Sequence, residues 1–543
     1  MTKRTLALPL FLILLATCKD NPTAPSTTNP QSVSVLTQHN DNTRSGWNDN
    51  ETALTTSNVN VQQFGQVFTL TVDDQVYAQP LVVGHLLIGG GYHNVVYIAT
   101  VNNTLYAFDG DNGRLYWRKS FTAPGMRPPK NIDMTGACGG TYTNFSGNIG
   151  IVGTPVIDAA SGTIYFVARS TTGSTFVQDL HAVSILDGNE IAGSPKRIIA
   201  TYSGTGDGSF NGMIAFDAQR ENQRQGLTLL NGSVYVTFSS HCDWGPYHGW
   251  VLGYDAATLQ QQVVYNVTPN GYAGGMWESG MAMAADAGAL YVVAGNGTVG
   301  DGGDPTNVTN RGESALKLTP SGSTLQVASY FTPQDYQYLN DFDLDYGTMG
   351  GFLIPNSLYL LTGGKDGNLY LLNKDAMGGY VPSVNQVQQV VALGNDANMH
   401  CQATYYKGIG QEFIYVWPEN HPLRAIPFDR GSNLMVPAQV VYGGAGPTGQ
   451  SGAVLSVSSN GSTDGTGILW ASYAATGDAE SFVSPGILRA YDANDVTREL
   501  WNNHQNVARD GAGNYAKFSA PTVANGHVYL PTFSNRVVVY GLR

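Results

Sequence analysis

The side chains best suited to chemistry lie in two short stretches of this 543-residue chain. The first, residues 241–250, reads His-Cys-Asp-Trp-Gly-Pro-Tyr-His-Gly-Trp and is unusually dense in polar and aromatic groups for a turn. Three of its side chains are of types that serve as bases, acids or metal ligands: His241, Tyr247 and His248. The second stretch places two carboxylates, Asp341 and Asp343, in one acidic loop. Such a loop can supply a general base, or it can be an ordinary solvated surface.

A repeated β-sheet unit must position these residues. The clearest copy ends with residues 95–121, in which apolar strands alternate with turn residues. Asn102 and Asn103 can take the positive φ of a tight hairpin turn. With the apolar segment 79–83 in front, the unit is a four-stranded meander of roughly forty residues, and one such sheet cannot bury both of its faces alone. The sequence therefore predicts neighbouring sheets of the same kind.

The same pattern recurs along the chain, more weakly in the sixth copy. The units span residues 79–121, 153–185, 226–255, 290–318, 351–372, 413–427, 468–492 and 520–540. The last unit stops after three strands, and the apolar segment from Gln66 to Val72 belongs to no unit. Pairing between these two would close a ring and remove the open sheet edges. We therefore predict an all-β, eight-bladed β-propeller of four-stranded antiparallel blades, with seven blades as the alternative.

Composition agrees with a turn-dense β protein. The chain has 66 Gly and 30 Tyr, and only 12% of its residues are charged. This is the composition of a globular chain, not a disordered one. The net charge of −13 argues against nucleic acid or an anionic membrane surface as a partner.

The N-terminus predicts export. Lys3 and Arg4 precede an apolar run, residues 6–16, that is too short for a membrane-spanning helix. Leu-Ala-Thr-Cys at residues 15–18 resembles a bacterial lipoprotein signal in which Cys18 is lipidated, although a cleaved signal with an incidental Cys is the alternative. We predict a signal peptide at 1–17, a flexible tether at 18–33 and the propeller at 34–543. The expected location is the bacterial cell envelope, periplasm or outer membrane, with a lipid anchor as the membrane attachment.

The remaining cysteines limit the redox chemistry. Cys138, Cys242 and Cys401 allow at most one intramolecular disulfide plus a free thiol, and the pairing is open. No CxxCH motif occurs, which excludes covalent c-type haem, and the absence of CxxC weakens any zinc site.

The repeats resemble a known family. Units of the form VYxxTxxNxLYAFDxxxGxxxW are similar to repeats of the quinoprotein alcohol dehydrogenases, which are eight-bladed propellers, and residues 41–45 with 54–59 resemble that family's N-terminal signature. The resemblance covers nearly all of residues 34–543. It implies pyrroloquinoline quinone and calcium as cofactors, with no haem segment. Because similar repeats also occur in non-catalytic propellers, the site residues need separate arguments.

Two residues match the family's quinone contacts. Gly274-Gly275-Met276-Trp277 resembles GGxxW, so the resemblance implies that Trp277 stacks on the quinone; a blade-packing Trp is the alternative. Lys365, in Gly364-Lys365-Asp366-Gly367, resembles the basic residue that contacts the quinone oxygens, although lysines on hairpin turns are ordinary. The family's adjacent Cys-Cys ring over the quinone is missing, and Cys138 is the one cysteine in roughly that region.

Four residues match the calcium ligands and the base. Asn296, in Gly295-Asn296-Gly297, resembles the calcium-binding Asn, although Asn-Gly is also the commonest hairpin dipeptide. Asp243 occupies the place of a calcium-binding Glu and is one methylene shorter. The acidic loop resembles TPxDxWDYD with extra residues inserted, and the resemblance implies Asp341 as the base, with Asp343 second.

Three functions follow from these observations. The first is an exported dehydrogenase that oxidises an alcohol or sugar hydroxyl and passes electrons to a separate acceptor. The second is a lipid-anchored, non-catalytic propeller that binds a protein or glycan. The third is a polysaccharide lyase that uses His241, Tyr247 or His248.

Overall fold

The structure is a computed structural model that describes Met1 and residues 32–543. The predicted signal peptide, Cys18 and most of the predicted tether lie outside the described residues. Ser32 and Val33, which the tether prediction includes, already contact the sheets: Ser32 Oγ donates to Asn94 Oδ1 at 2.7 Å, and Val33 N donates to Asn525 Oδ1 at 2.7 Å. In the described part of the chain, no helix is long and apolar enough to cross a membrane.

In residues 32–543, eight antiparallel sheets form the blades and confirm the predicted eight-bladed propeller. The strands of blades 1 to 4 are Leu81–Ile88, Gly91–Ala99, Thr104–Asp109 and Leu115–Ser120; Val156–Asp158, Thr163–Thr171, Phe176–Ser184 and Lys196–Arg197; Thr228–Leu230, Ser233–Ser240, Trp250–Asp255 and Gln261–Asn266; Ala284–Asp286, Ala289–Ala294, Ser314–Ser321 and Thr324–Phe331. Those of blades 5 to 8 are Gly350–Leu353, Tyr359–Gly363, Asn368–Asn373 and Gln389–Ala392; Thr404–Lys407, Glu412–Val416, Arg424–Asp429, Leu434–Met435 and Val441–Tyr442; Val454–Ser458, Ile468–Ala474, Gly486–Asp492 and Asp495–Asn502; Thr522–Ala524, His527–Pro531, Arg536–Leu542 and Phe64–Thr71.

Shorter elements lie between or beside the blades. Trp47–Asn48 pairs in parallel with blade 7, Glu221–Asn222 pairs with blade 3, and Thr201–Ser203 with Met213–Ala215 forms a separate hairpin. The helices in the described residues are Tyr336–Asp341, Val507–Asp510 and the 3-10 turns Asn131–Asp133, Ala137–Gly140, Glu278–Gly280, Pro437–Gln439 and Asn503–Asn506.

Apolar clusters between successive blades hold the ring together. One cluster joins blades 1, 2 and 8, and others join 2 with 3, 3 with 4, 4 with 5, 5 with 6, 6 with 7, and 7 with 8. Each sheet therefore buries both faces against its neighbours, as the isolated unit could not. The sixth unit is weak in the sequence because its outer position is shared by two strands of two residues each.

The N-terminal strand closes the ring, as predicted. Phe64–Thr71 pairs antiparallel with Arg536–Leu542, with Phe64 opposite Leu542 and Thr71 opposite Arg536. This pairing gives blade 8 its fourth strand and covers the edge that Arg536–Leu542 would otherwise expose.

The turn chemistry of the repeat is local. Asn103 has φ 58°, as expected for the predicted hairpin. Asp109, at the end of the third strand of blade 1, accepts the backbone N–H groups of Asp111 and Asn112 at 3.0 and 3.2 Å. Asp255 does the same for Ala257 and Thr258 in blade 3. The aspartate of the repeat thus fixes the turn through its own side chain.

The segment 33–51, which we call the axial segment, contacts every blade. In the order of blades 1 to 8 its hydrogen bonds join Val35 to Val82, Leu36 to Ile157, Asn42 to Leu229, Asn42 to Ala285, Thr43 to Leu353, Ser45 to Tyr405, Gly46 to Val457, and Asn48 to Val523. Only the ring axis is adjacent to the inner strands of all eight blades, so the segment crosses the channel there.

Candidate functional site

A cavity of about 170 Å³ lies on the propeller axis. Each connection between consecutive blades contributes at least one side chain to the cavity wall. In chain order, beginning with the connection that precedes blade 1, these include Tyr77, Tyr142, Arg224, Trp277, Asp345, His400, Gln450 and Phe518. The axial segment lies close to it, because Gln38 Nε2 donates to Gln402 Oε1 at 3.0 Å, and Gln402 Nε2 donates at 2.9 Å to the carbonyl of Ser279, which lines the cavity.

Most of the residues predicted for the site meet in this cavity. Asp243, Trp277, Asp343 and Lys365 all line it. Asn296 stands directly behind, with its Nδ2 donating to Asp343 Oδ1 at 2.7 Å. These residues come from two connections between blades and from turns within blades 3, 4 and 5, so the packing of these neighbouring blades brings them together.

Lys365 lies between two carboxylates. Its Nζ is 2.6 Å from Asp345 Oδ2 and 3.1 Å from Asp343 Oδ1. Burial alone would lower the pKa of Lys365, but the charges of Asp345 and Asp343 outweigh it and hold that pKa above its ordinary value. The lysine is therefore a fixed positive charge at the cavity wall.

Asn296 presents an unsatisfied oxygen at the same place. Its backbone N–H donates to Asp345 Oδ1 at 2.8 Å, whereas its Oδ1 is buried and has no hydrogen-bond partner in the structure. The preceding Gly295 permits this close packing, because a Cβ there would lie 2.3 Å from Asp345 Oδ1 and 3.0 Å from Trp277 Cδ1. A buried, unpartnered amide oxygen beside carboxylates is suited to a hard cation.

Asp243 adds a further carboxylate across the cavity. Its Oδ1 accepts the hydroxyl of Tyr247 at 2.5 Å. Loss of hydration in the cavity and then the charge of Asp345 raise the pKa of Asp243 to about 6. A cation placed among these carboxylates would relieve their mutual repulsion.

The predicted base, Asp341, is not in the cavity. It ends the short helix Tyr336–Asp341, is exposed to solvent and does not line the cavity. The chain turns at Asp343, which has φ 54°, and this turn points the later residues inward. Asp343, the second choice, has a side chain 66% exposed that lines the cavity, and Asp345 behind it is buried.

Asp345 was not predicted from the sequence. The sequence does contain a pattern that indicates it, since Asp341, Asp343 and Asp345 alternate with apolar residues. Two further missed residues, Arg224 and Lys517, carry no local signal.

The cysteine pairing is now defined. Cys138 and Cys242 form a disulfide with Cα atoms 5.4 Å apart, and Cys401 is buried and free. This agrees with the limit of one disulfide and one free thiol. Cys242 lines the cavity next to Asp243, so the bridge fastens the 3-10 turn Ala137–Gly140 to the cavity wall.

The histidines of the 241–250 loop do not line the cavity. His241 is buried, and its Nδ1 lies 2.9 Å from the hydroxyl of Tyr142. His248 is buried against the carbonyl of Asp207 and the hydroxyl of Thr268. Neither histidine nor Tyr247 lines the cavity, so the arrangement does not favour the lyase alternative.

Strained backbone is concentrated around the cavity. Five lining residues that are not glycine have positive φ: Cys242, Asp243, Ser279, Asp343 and Phe518. Each costs on the order of 1 kcal/mol or more, and such strain is typical of functional sites. The cavity therefore has features of a site and not of a packing defect.

Solved structures with the same architecture were found at low sequence identity. A quinohemoprotein alcohol dehydrogenase from Comamonas testosteroni is 13% identical, with a TM-score of 0.56 over 95% of this chain and 81% of that one. A europium-containing methanol dehydrogenase is 11% identical, with a TM-score of 0.59 over 92% and 89%. At these identities the likeness shows a shared fold. A quinohemoprotein alcohol dehydrogenase of Pseudomonas putida HK5 is also similar, at 13% identity and a TM-score of 0.54, over 94% of this chain and 80% of that one. No family model and no curated protein sequence matches the chain.

The donor set suits a hard cation, although it is not arranged as a closed cage. Among the described residues, no group of three or more His, Cys, Asp or Glu side chains is placed to hold a metal ion. Lys365 Nζ occupies the space between Asp343 and Asp345. The oxygen donors left for a cation are Asn296 Oδ1, which is buried without a partner, and the carboxylate of Asp243, which lines the cavity. On the chemistry of these donors, the residues fit a hard cation, and the aromatic ring of Trp277 and the charge of Lys365 in the same cavity are of the types that suit a flat quinone anion.

Proposed function

We propose that the chain is a quinoprotein dehydrogenase that oxidises an alcohol or sugar hydroxyl with pyrroloquinoline quinone and a hard cation in the axial cavity. The observation that carries this proposal is that Trp277, Lys365 and Asp243 line one axial cavity, with Asn296 directly behind it. Asp343, the second choice of the family resemblance for the base, lines the same cavity. The structural neighbours are quinoprotein alcohol and methanol dehydrogenases, which supports the same reading.

Each residue then has a distinct task. Asp243 and Asn296 would hold the cation through oxygen atoms, and Trp277 and Lys365 would hold the flat quinone through its ring and its oxygens. When bound, the quinone accepts a hydride from the substrate carbon and the cation polarises the quinone carbonyl. Asp343 accepts the proton of the substrate hydroxyl.

Asp343 is preferred over Asp341 as the base because a base must reach the proton it removes. Asp343 lines the cavity, and Asn296 Nδ2 and Lys365 Nζ both contact its Oδ1. Its Oδ2 has no hydrogen bond to the described residues and remains for the substrate.

The test compares two aspartates two residues apart. The purified protein is loaded with pyrroloquinoline quinone and calcium, the ultraviolet–visible spectrum records binding, and an artificial electron acceptor records turnover. We expect Asp343→Asn to lower kcat by at least about 10²-fold while quinone binding stays within a few-fold, because only the proton acceptor is lost.

Asp341→Asn is the matched control and should turn over like the wild type. Equal loss in both variants would remove the assignment of Asp343. A wild-type protein that binds neither quinone nor cation would contradict the dehydrogenase proposal and favour a non-catalytic propeller that binds a protein or glycan. Calcium and europium are titrated separately, because one structural neighbour contains europium.

Two further parts of the proposal concern the protein in the cell. The first is that a separate electron acceptor receives the electrons removed from the substrate. Cys18 carries the lipid anchor, and its location in the envelope is tested by fractionation of cells that express Cys18→Ser. We expect this variant to lose its membrane attachment or its processing; unchanged membrane partitioning would exclude lipidation at Cys18.

A further inference from the structure

We propose that Arg224 and Lys517 bind the carboxylates of the anionic ligand, and that Lys517 takes up a proton when the ligand enters the cavity. This inference rests on the proposed function for the identity of the ligand. It gives a role to the part of the cavity wall that Arg224 and Lys517 form, which neither the repeats nor the acidic residues indicate.

Arg224 is a cation for which no described residue supplies an acceptor. Its guanidinium lies over the ring of Phe518, 3.7 Å from the centroid, and within the described residues it makes no side-chain hydrogen bond or ion pair. Both residues line the cavity. Burial lowers the pKa of Arg224 to about 10, so the group is still charged at neutral pH. A cavity-facing guanidinium with free donors is suited to a planar carboxylate.

Lys517 is a second cation beside it. The side chain is only 6% exposed, and its Nζ donates to the backbone carbonyl of Glu480. The charged groups that face it are Arg224 from the connection before blade 3, and Asp478 and Glu480 from blade 7. Neither carboxylate is close enough for an ion pair with Lys517 in the described structure. Arg224 and Lys517 therefore line the same cavity, and no carboxylate of the described residues forms an ion pair with either of them.

The surroundings of Lys517 disfavour its protonation. Burial, followed by the charge of Arg224, lowers the pKa of Lys517 to about 7, while Glu480 and Asp478 act weakly in the opposite direction. At pH 8 the amine is therefore mostly neutral in the free protein. A ligand carboxylate at the same place favours the ammonium form, so binding draws a proton from solution.

The ligand class follows from the two ends of the cavity. One end offers Arg224 and Lys517, and the other offers carboxylates with Lys365 and the proposed cation. A flat molecule with carboxylates on one side and uncharged oxygens on the other matches both ends. Pyrroloquinoline quinone has this character, whereas a neutral alcohol or sugar would leave the two cations unpaired.

Linkage gives the expected pH dependence. Above pH 7 the free protein must gain a proton to bind, so the Kd should rise by up to about tenfold per pH unit between pH 7 and 9. Below pH 7 the lysine is already charged and this dependence should level off. In calorimetry at pH 8, performed in phosphate and in Tris, the difference in heat should correspond to uptake of nearly one proton per quinone.

Three variants isolate the lysine. Lys517→Met should bind more weakly and without proton uptake. Lys517→Arg should restore binding but not the proton uptake, because an arginine remains charged across this range. Lys407→Met, which removes an exposed lysine of blade 6, is the control and should behave like the wild type.

The outcomes separate this inference from the proposed function. The inference would be overturned if the quinone binds without proton uptake and the Kd of Lys517→Met equals that of the wild type. This result would leave the dehydrogenase proposal in place. Benzene-1,3,5-tricarboxylate, a flat anion without a quinone, is the second probe. Lys517-dependent proton uptake with this probe, but no binding of the quinone, would support the carboxylate-binding end and remove the quinone proposal.

Discussion

Glu278 follows Trp277 directly and is among the most deeply buried acids of the site. Its side chain is 1% exposed, Oε1 accepts the backbone N–H of Val293 at 2.9 Å, and Oε2 has no hydrogen-bond partner in the structure. Burial, opposed only in part by that hydrogen bond and by the charge of Arg44, raises the pKa of Glu278 to about 8. The carboxyl is therefore protonated in the folded protein at neutral pH.

This pKa predicts a pH-dependent stability. The unfolded group titrates near pH 4.3, so between about pH 4.3 and 8 the folded state holds a proton that the unfolded state has lost. The free energy of unfolding should fall as the pH rises through this window and become level above it. Glu278→Gln should be as stable as the wild type at pH 4.5 and more stable by about 2 kcal/mol or more at pH 8.5. Urea unfolding at the two pH values measures this, and an equal difference at both would contradict the assignment.

The axial segment is the element that joins the blades at the centre, and Arg44 is its main anchor. Arg44 is fully buried and donates five hydrogen bonds: to Thr37 Oγ1, Thr228 Oγ1 and the carbonyls of Gln38, Asp41 and Met283, at 2.7 to 3.1 Å. Thr228 belongs to blade 3, and Met283 directly precedes blade 4. One side chain thus fixes the segment to two neighbouring blades.

Arg44→Met should be strongly destabilising. The methionine fills much of the space but leaves five acceptors without their donor, which costs on the order of 3 kcal/mol or more. We expect a clear fall in the midpoint of urea unfolding, while Arg118→Met, at an exposed position of blade 1, should change it little. A midpoint that moves no further than in Arg118→Met would mean that the axial segment does not stabilise the ring.

At the scale of the whole molecule, the ring depends on pairing between the two ends of the propeller. Strand Phe64–Thr71 covers the edge of Arg536–Leu542. Deletion of residues 60–75 should leave that edge open, lower the Tm by roughly 10 °C or more and cause aggregation seen by light scattering. Replacement of the same residues by a glycine-serine linker of equal length controls for chain length and should fail in the same way. A deletion variant with an unchanged Tm would show that closure is not required.

The disulfide is a second long-range restraint. It joins residues separated by 104 positions, and closing a loop of that length is worth about 4–5 kcal/mol in the chain-entropy model. The double variant Cys138→Ser, Cys242→Ser should therefore unfold at lower urea concentration. It should also weaken the proposed quinone binding, since Cys242 adjoins Asp243 in the cavity wall. Cys401→Ala, at the buried free thiol, should have no effect on quinone binding. Unchanged binding in the double variant would separate the disulfide from the site.

The sequence by itself predicted the blades, with eight favoured and seven as the alternative, because the repeat marks each strand and turn. It predicted the closing strand because the last unit lacks one strand and an apolar segment near the N-terminus belongs to no unit. Alternating apolar residues specify a strand, and turn residues such as Asn103 and Asp109 fix the backbone of the few residues next to them. It also brought Trp277, Lys365, Asp243 and Asn296 into consideration, since each lies in a short motif.

Only the tertiary structure decided which residues meet. Asp341 and Asp343 are indistinguishable by composition, but the helix end and the left-handed turn at Asp343 direct one outward and the other into the cavity. The pairing of Cys138 with Cys242 and the proximity of Arg224 to Lys517 join positions far apart in the chain. Such contacts arise when eight similar units close around one axis, and no local pattern encodes where on that axis a given side chain will lie.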